Sequence, residues 1–136
     1  MTDMTNIFIS IGELSRLSGV SAYTLRFYEA EGVLKPAERG SNGHRRYLKA
    51  DLLWLEFVLR LKQTGMPLSE IKQYAVLRAA GDDTLQPRLT MLELHREQLV
   101  RKIAELSTCA QVLEQKIQTY QDLLAKPTAR KRKSSK

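Results

Sequence analysis

The chain has a single cysteine among its 136 residues, which rules out an internal disulfide framework and makes a reducing cytoplasm the expected setting. It has no long hydrophobic run either. Its apolar stretches are as short as Leu52 to Leu55, whereas a membrane-spanning helix needs about 20 apolar residues. Met1 to Ser10 lacks the basic-then-apolar order of a signal peptide, so neither a membrane nor export is expected. Histidine is almost as scarce as cysteine. His95 and Cys109 are separated by 14 positions, about 21 Å along a helix, so within one chain they cannot complete a shared metal site. With His44 elsewhere and no catalytic constellation to be found, no metal, no cofactor and no enzymatic activity are expected.

Acidic residues are missing from one place in particular, the segment Lys126 to Lys136, which holds six basic side chains. The net charge of +7 divides into +2 for residues 1–50, −1 for 51–100 and +6 for 101–136, and all of the last share lies in that tail. An argument for nucleic-acid binding therefore has to rest on local clusters and motifs.

Those clusters begin with two short helices. Ser10 followed by Glu13 is a capping-box pattern, and Ile11, Leu14 and Leu17 recur at helical spacing until Gly19. Ser21 caps a second run, Ala22 to Glu31, with Leu25 and Tyr28 on one face and Gly32 past its end. Two short helices about a glycine turn form a helix-turn-helix candidate. From Gly32 to Tyr47 the residues turn to Pro36, Gly40, Ser41, Asn42 and Gly43, which suits a hairpin wing better than a helix. Helical spacing resumes from Lys49 to Thr64, with apolar residues on more than one face, which predicts the centre of a small core. Pro67 and Gly81 bracket a fourth helix, Leu68 to Ala80.

Beyond Asp83 the pattern changes in kind. Leu85, Leu89, Leu92, Leu99, Ile103, Leu106, Ala110, Leu113, Ile117, Tyr120 and Leu124 alternate four and three residues apart, interrupted only by Arg96. A helix of this length, starting near Asp83 or Thr84 and reaching Ala125, has an apolar seam too narrow and too long for a domain of roughly 80 residues to cover. Either it folds back on its own domain or it pairs with a second helix, and the heptad spacing favours a coiled-coil homodimer. Leu92, Leu99, Ile103, Leu106, Leu113 and Ile117 are the expected dimerisation residues.

The start of the second helix is where a helix-turn-helix reads DNA, which makes Ser21, Tyr23, Thr24, Arg26 and Tyr28 candidates for contact with phosphates and base edges. The hairpin adds Arg45, Arg46 and Tyr47, within a stretch from Arg39 to Lys49 that contains His44 and no acid. A basic loop alone is more often just solvated surface, but following a helix-turn-helix it is suited to gripping the phosphate backbone. The expectation is an all-α fold with a small β-hairpin wing. It comprises a winged helix-turn-helix DNA-binding domain at residues 1–81, a coiled-coil dimerisation helix at 82–125 and a disordered basic tail at 126–136.

These residues also resemble a known family. Ile11 to Ser21, Thr24-Leu25-Arg26-Phe27-Tyr28-Glu29, Gly32-Val33-Leu34 with Pro36, Gly43-His44-Arg45-Arg46-Tyr47, Thr64-Gly65-Met66-Pro67-Leu68 and Glu70-Ile71 are similar to the MerR (mercury-resistance regulator) family, over roughly Phe8 to Leu124. The resemblance implies a homodimer joined by an antiparallel coiled coil. It also implies binding to double-stranded promoter DNA with an overlong spacer, which the activated dimer distorts so that RNA polymerase can engage it. His44 stands where the family has a tyrosine before the wing arginine. The stretch from Leu61 to Tyr74, with Gly81-Asp82, looks most like the aldehyde- or electrophile-responsive branch, whose reactive cysteine near the end of the third helix is here Arg60. Cys109 is thus the candidate sensor thiol, beside the seam. Two other readings remain from the residues alone: a coiled-coil adaptor for protein contacts, and a thiol redox switch acting through Cys109.

Overall fold

In the computed structural model, residues 8–39 and 45–126 are described, with Glu38, Arg39 and Arg45 described by their backbone alone. The expected wing tip, including His44, and the basic tail from Pro127 lie outside the described residues.

Side-chain caps set the first elements. Ser10 has extended backbone, and its Oγ accepts the Glu13 N–H at 3.1 Å to start helix α1 (Ile11–Ser18). Only this half of the capping box forms, because the Glu13 carboxylate pairs instead with the Arg16 guanidinium one turn on, a stronger charge-assisted partner. Gly19 closes α1 in the left-handed region at φ 77°, donating its N–H to Ser15. Two residues later Ser21 repeats the cap and begins α2 (Ala22–Ala30).

The wing is part of a three-stranded antiparallel sheet rather than a free hairpin. Its strands are β1 (Phe8–Ser10), β2 (Glu38–Arg39) and β3 (Arg45–Leu48), in the order β1-β3-β2. Ile9 lies opposite Tyr47 and Ser10 opposite Arg46, while Glu38 pairs with Arg46 from the other side. The strand at Phe8 adds to the hairpin the sequence suggests, and it ties the wing to the residue that caps α1.

Helices α3 (Asp51–Gln63) and α4 (Leu68–Ala80) complete the core. From α3 come Trp54, Leu55, Val58 and Leu61, which pack with Leu14, Leu25, Leu34 and Ile71, each contributing about 1.5–3 kcal/mol when fully buried. The Trp54 indole N–H donates to the Val33 carbonyl at 2.8 Å, fixing the loop after α2 on this core. Not all of α3 is core, as its composition suggested: Leu53 is 73% exposed, on a face that no element covers.

A 3-10 turn (Asp82–Thr84) leads into α5 (Leu85–Ala125), a continuous helix of 41 residues. Pro87 falls in its first turn, where a missing N–H costs no helical bond. The chain divides into two compact units, one ending at His95 and the other beginning at Arg96. The first unit therefore takes in the early turns of α5, past the boundary at residue 81. Met91 and Leu92 pack against its core, Arg88 donates to the Gly81 carbonyl and to Thr84 Oγ1, and His95 Nε2 lies 2.7 Å from Thr64 Oγ1. Leu92, expected in the dimer seam, is thus half-buried by its own domain, because the heptad spacing and the domain-facing stripe coincide over these turns. In the second unit Leu99 is half-buried, while Ile103, Leu106, Leu113 and Ile117 are exposed.

Candidate nucleic-acid interface

The exposed face of α2 is built from the residues between its buried anchors. Leu25 and Tyr28 point into the core, which turns Tyr23 and Arg26 outward. Tyr23 is 82% exposed, an unusual state for an aromatic ring. Arg26 is exposed and makes no hydrogen bond or ion pair with any described residue, so its full set of donors faces outward.

Ser21 and Thr24 hold this face in place. Ser21 Oγ accepts the Thr24 N–H at 3.1 Å and donates to Thr24 Oγ1 at 3.0 Å, so its only hydrogen is committed to the cap. Arg46 lies on β3 with its guanidinium carbon 3.9 Å over the Phe8 ring and its Nε buried without a partner. That stacking restrains a long cationic side chain at the sheet surface. On α1 the Arg16 hydrogen bond holds the Glu13 carboxyl below its ordinary range, and the same pairing raises Arg16.

Two of the expected contact residues have another place. Tyr28 is 2% exposed and Tyr47 1%, so neither presents its ring to a duplex. Alternation along β3 explains Tyr47: a strand sends neighbours to opposite faces, and with Arg46 on one face Tyr47 enters the core. Its hydroxyl donates to Glu29 Oε2 at 2.9 Å, and the other oxygen of Glu29 accepts the Ala37 N–H at the base of β2. Glu29 thereby joins α2 to two strands of the wing. Sequence reasoning missed this carboxylate, whose partners lie 8 and 18 residues away; the only signal for it was its place in the Arg26-Phe27-Tyr28-Glu29 motif. The Arg45 side chain lies outside the description, and its backbone opens β3 opposite Arg39.

Two short helices about a left-handed glycine turn, the second with an exposed cationic face, together with an antiparallel wing buttressed from below, define a winged helix-turn-helix DNA-binding domain. Comparisons with known proteins agree. The family model for MerR HTH family regulatory proteins matches residues 9–76, and a second, described as MerR, DNA binding, matches residues 52–116. An uncharacterized HTH-type transcriptional regulator of Haemophilus influenzae is 44% identical over 103 residues, covering 76% of each chain. Among solved structures, HiNmlR, a MerR family regulator lacking the sensor domain, bound to promoter DNA, is 39% identical with a TM-score of 0.76, over 88% of this chain and 94% of that one. A MerR family protein from Listeria monocytogenes superposes with a TM-score of 0.81 at 31% identity, over 93% and 95% of the two chains. The chain belongs to the MerR family and is a DNA-binding transcriptional regulator.

Other chemistry has little to build on. Among the described residues no group of three or more His, Cys, Asp or Glu side chains could hold a metal, and no helix is long and apolar enough to cross a membrane. Cys109 is exposed on α5. Arg60 is exposed in the last turn of α3 and donates to Gln63 at 3.0 Å.

Proposed function

We propose that the protein acts in the cytoplasm as a homodimer, paired through α5 beyond His95, that places two α2 helices in successive major grooves of a promoter and switches its transcription by RNA polymerase. The observation that carries this reading is the unpartnered Arg26 beside the exposed Tyr23 at the start of a capped helix. A guanidinium there can take the two acceptors of a guanine or hold a phosphate. Arg46, with Arg45 next to it in the chain, supplies phosphate contacts beside the groove. Tyr28, Tyr47 and Glu29 act from beneath, keeping α2 and the wing at a constant separation. Ser21 and Thr24 form the cap that aims α2, and the basic tail adds affinity without sequence preference.

Regulation follows from the preference of such a dimer for distorted DNA. A protein that binds the bent or untwisted spacer more tightly shifts the equilibrium toward it by that difference in affinity. Footprinting of the chain's own upstream region tests the proposal. Protection of two half-sites about a long promoter spacer is expected, and protection of none, with protein partners captured through α5 instead, would favour an adaptor.

The signal is a small molecule or a stress that does not act through a thiol. Cys109 lies at a position flanking the seam, where a half-buried cysteine is inert packing once helices pair. Promoter output in reporter cells exposed to an electrophile is expected to be the same for Cys109→Ser and the parent. Loss of induction in the serine variant alone would make Cys109 the sensor.

A further inference from the structure

Between α2 and the wing the chain passes over the ends of two other helices, and beneath it lies a cavity of about 460 Å³. Its walls are the segment Gly32 to Pro36, the first turn of α3 with Asp51 and Trp54, and the later turns of α4 with Ala75, Arg78 and Ala79. The volume is within the range of small-molecule sites, about 300–1,000 Å³. Ala75 and Ala79 leave the room on one side, and Pro36, over the buried Leu34, provides the apolar wall opposite in the chain.

Groups of opposite charge line this cavity without closing an ion pair among the described residues. Asp51 is half-buried, and burial raises its carboxyl above the ordinary range against the weaker pull of Arg78, the Leu48 backbone hydrogen bond and Lys35. Yet no ion pair joins Asp51 to Arg78 or Lys35 among the described residues. The Arg78 guanidinium lies 4.4 Å over the Trp54 ring, and its N–H groups donate to no described residue. Glu29, the other acid of the lining, already accepts from Ala37 and Tyr47. A simple cation entering here would meet Arg78 and Lys35, and a simple anion would meet Asp51. A molecule that carries both charges satisfies both ends.

We propose that this cavity binds a small zwitterion of the α-amino-acid type, its ammonium group on Asp51, its carboxylate on Arg78 and an aliphatic side chain against Pro36, Ala75 and Ala79. The inference deepens the regulatory reading and rests on it for its purpose. The wall from Gly32 to Pro36 joins the two DNA-facing elements, so an occupant touches the connection between α2 and the wing. By linkage, whatever the occupant does to DNA affinity, DNA does equally to the occupant's.

Trp54 is the only tryptophan of the chain and lines the cavity, so its emission reports occupancy directly. The full-length protein is titrated with L-leucine, and in parallel with isoamylamine and 4-methylpentanoate, which keep the side chain and one charge each. A saturable change in Trp54 emission is expected with leucine, at least tenfold weaker with either analogue, and at least tenfold weaker for leucine in Asp51→Asn and in Arg78→Gln. Ala79→Leu, which fills the cavity and keeps both charges, should also lose the response while melting at or above the parent's temperature. No saturable change with leucine overturns the proposal, as does an equal response to either analogue or an undiminished response in both charge variants. Retardation of a promoter fragment by the same preparation, without leucine, tests DNA binding separately, so the two readings can fail independently.

Discussion

Arg26 and Tyr28 are two positions apart on α2, and the helix turns one to solvent and the other into the core. Their removal should therefore fail in different ways. Arg26→Ala deletes a side chain with no partner among the described residues, so the unfolding transition should not move. Specific operator affinity should fall by about 1–3 kcal/mol per half-site, doubled in a dimer. A titration at fixed salt measures this, and unchanged affinity would remove Arg26 from the interface. Tyr47→Phe probes the support beneath. It takes a phenol hydroxyl from the part-buried Glu29 carboxylate, so stability should fall by about 1.5–3 kcal/mol in denaturant unfolding. Full stability in the phenylalanine variant would show that the bond to Glu29 does not hold the wing.

Glycine marks the difference between a residue that an element tolerates and one that it requires. Gly19, at φ 77°, has open space around the place of a Cβ, so Gly19→Ala meets no clash and costs only the left-handed backbone, about 1 kcal/mol or somewhat more. Gly12 sits inside α1 with ordinary helical backbone, and an added Cβ would lie 3.8 Å from Ser10 Oγ. Gly12→Ala should instead stabilise by about 0.5–1 kcal/mol. Thermal unfolding of the pair checks both signs, and a loss at Gly12 as large as that at Gly19 would contradict the turn argument. The same locality explains what could be read in advance. Helices α1 to α4 follow from caps, glycines and spacing within a few residues of each boundary, and all four lie close to where these signals put them. Strand β1 was not legible, because Phe8 to Ser10 becomes a strand only through pairing with β3, nearly forty residues on. Tyr28 and Tyr47 read as DNA contacts because an aromatic hydroxyl suits a phosphate, although the spacing of Tyr28 from Leu25 fits a core place equally; the Tyr47 hydroxyl instead meets the part-buried Glu29 carboxylate. Composition does not say which face a tyrosine lies on. Leu53 shows the converse, an apolar residue that faces solvent on a helix whose other side forms the core.

At the scale of the molecule, most of α5 has no core of its own. From Arg96 to Ala125 the chain is a single helix, on which Ile103, Leu106, Leu113 and Ile117 are 48–64% exposed. Apolar side chains repeated at heptad spacing and left in water are a standing gain for any partner helix, at about 25 cal/mol for each Å² covered. A second copy of this chain offers the same seam, which is why the proposed function needs a dimer. Leu106 lies close to the midpoint of the stretch from Leu85 to Leu124, so in an antiparallel pairing both copies of it fall near the centre. Leu106→Lys would place two ammonium groups there, desolvated and unpaired, at a cost of several kcal/mol. In a monomer the same lysine is already at an exposed position and costs almost nothing, so the helical signal in circular dichroism should survive. The expected result in sedimentation is a folded monomer that no longer binds a two-half-site operator tightly, while each domain keeps its weak affinity for nonspecific duplex. An intact dimer would place the seam on another face of α5. A variant that unfolds outright would show that the domain depends on its partner for stability as well as for spacing.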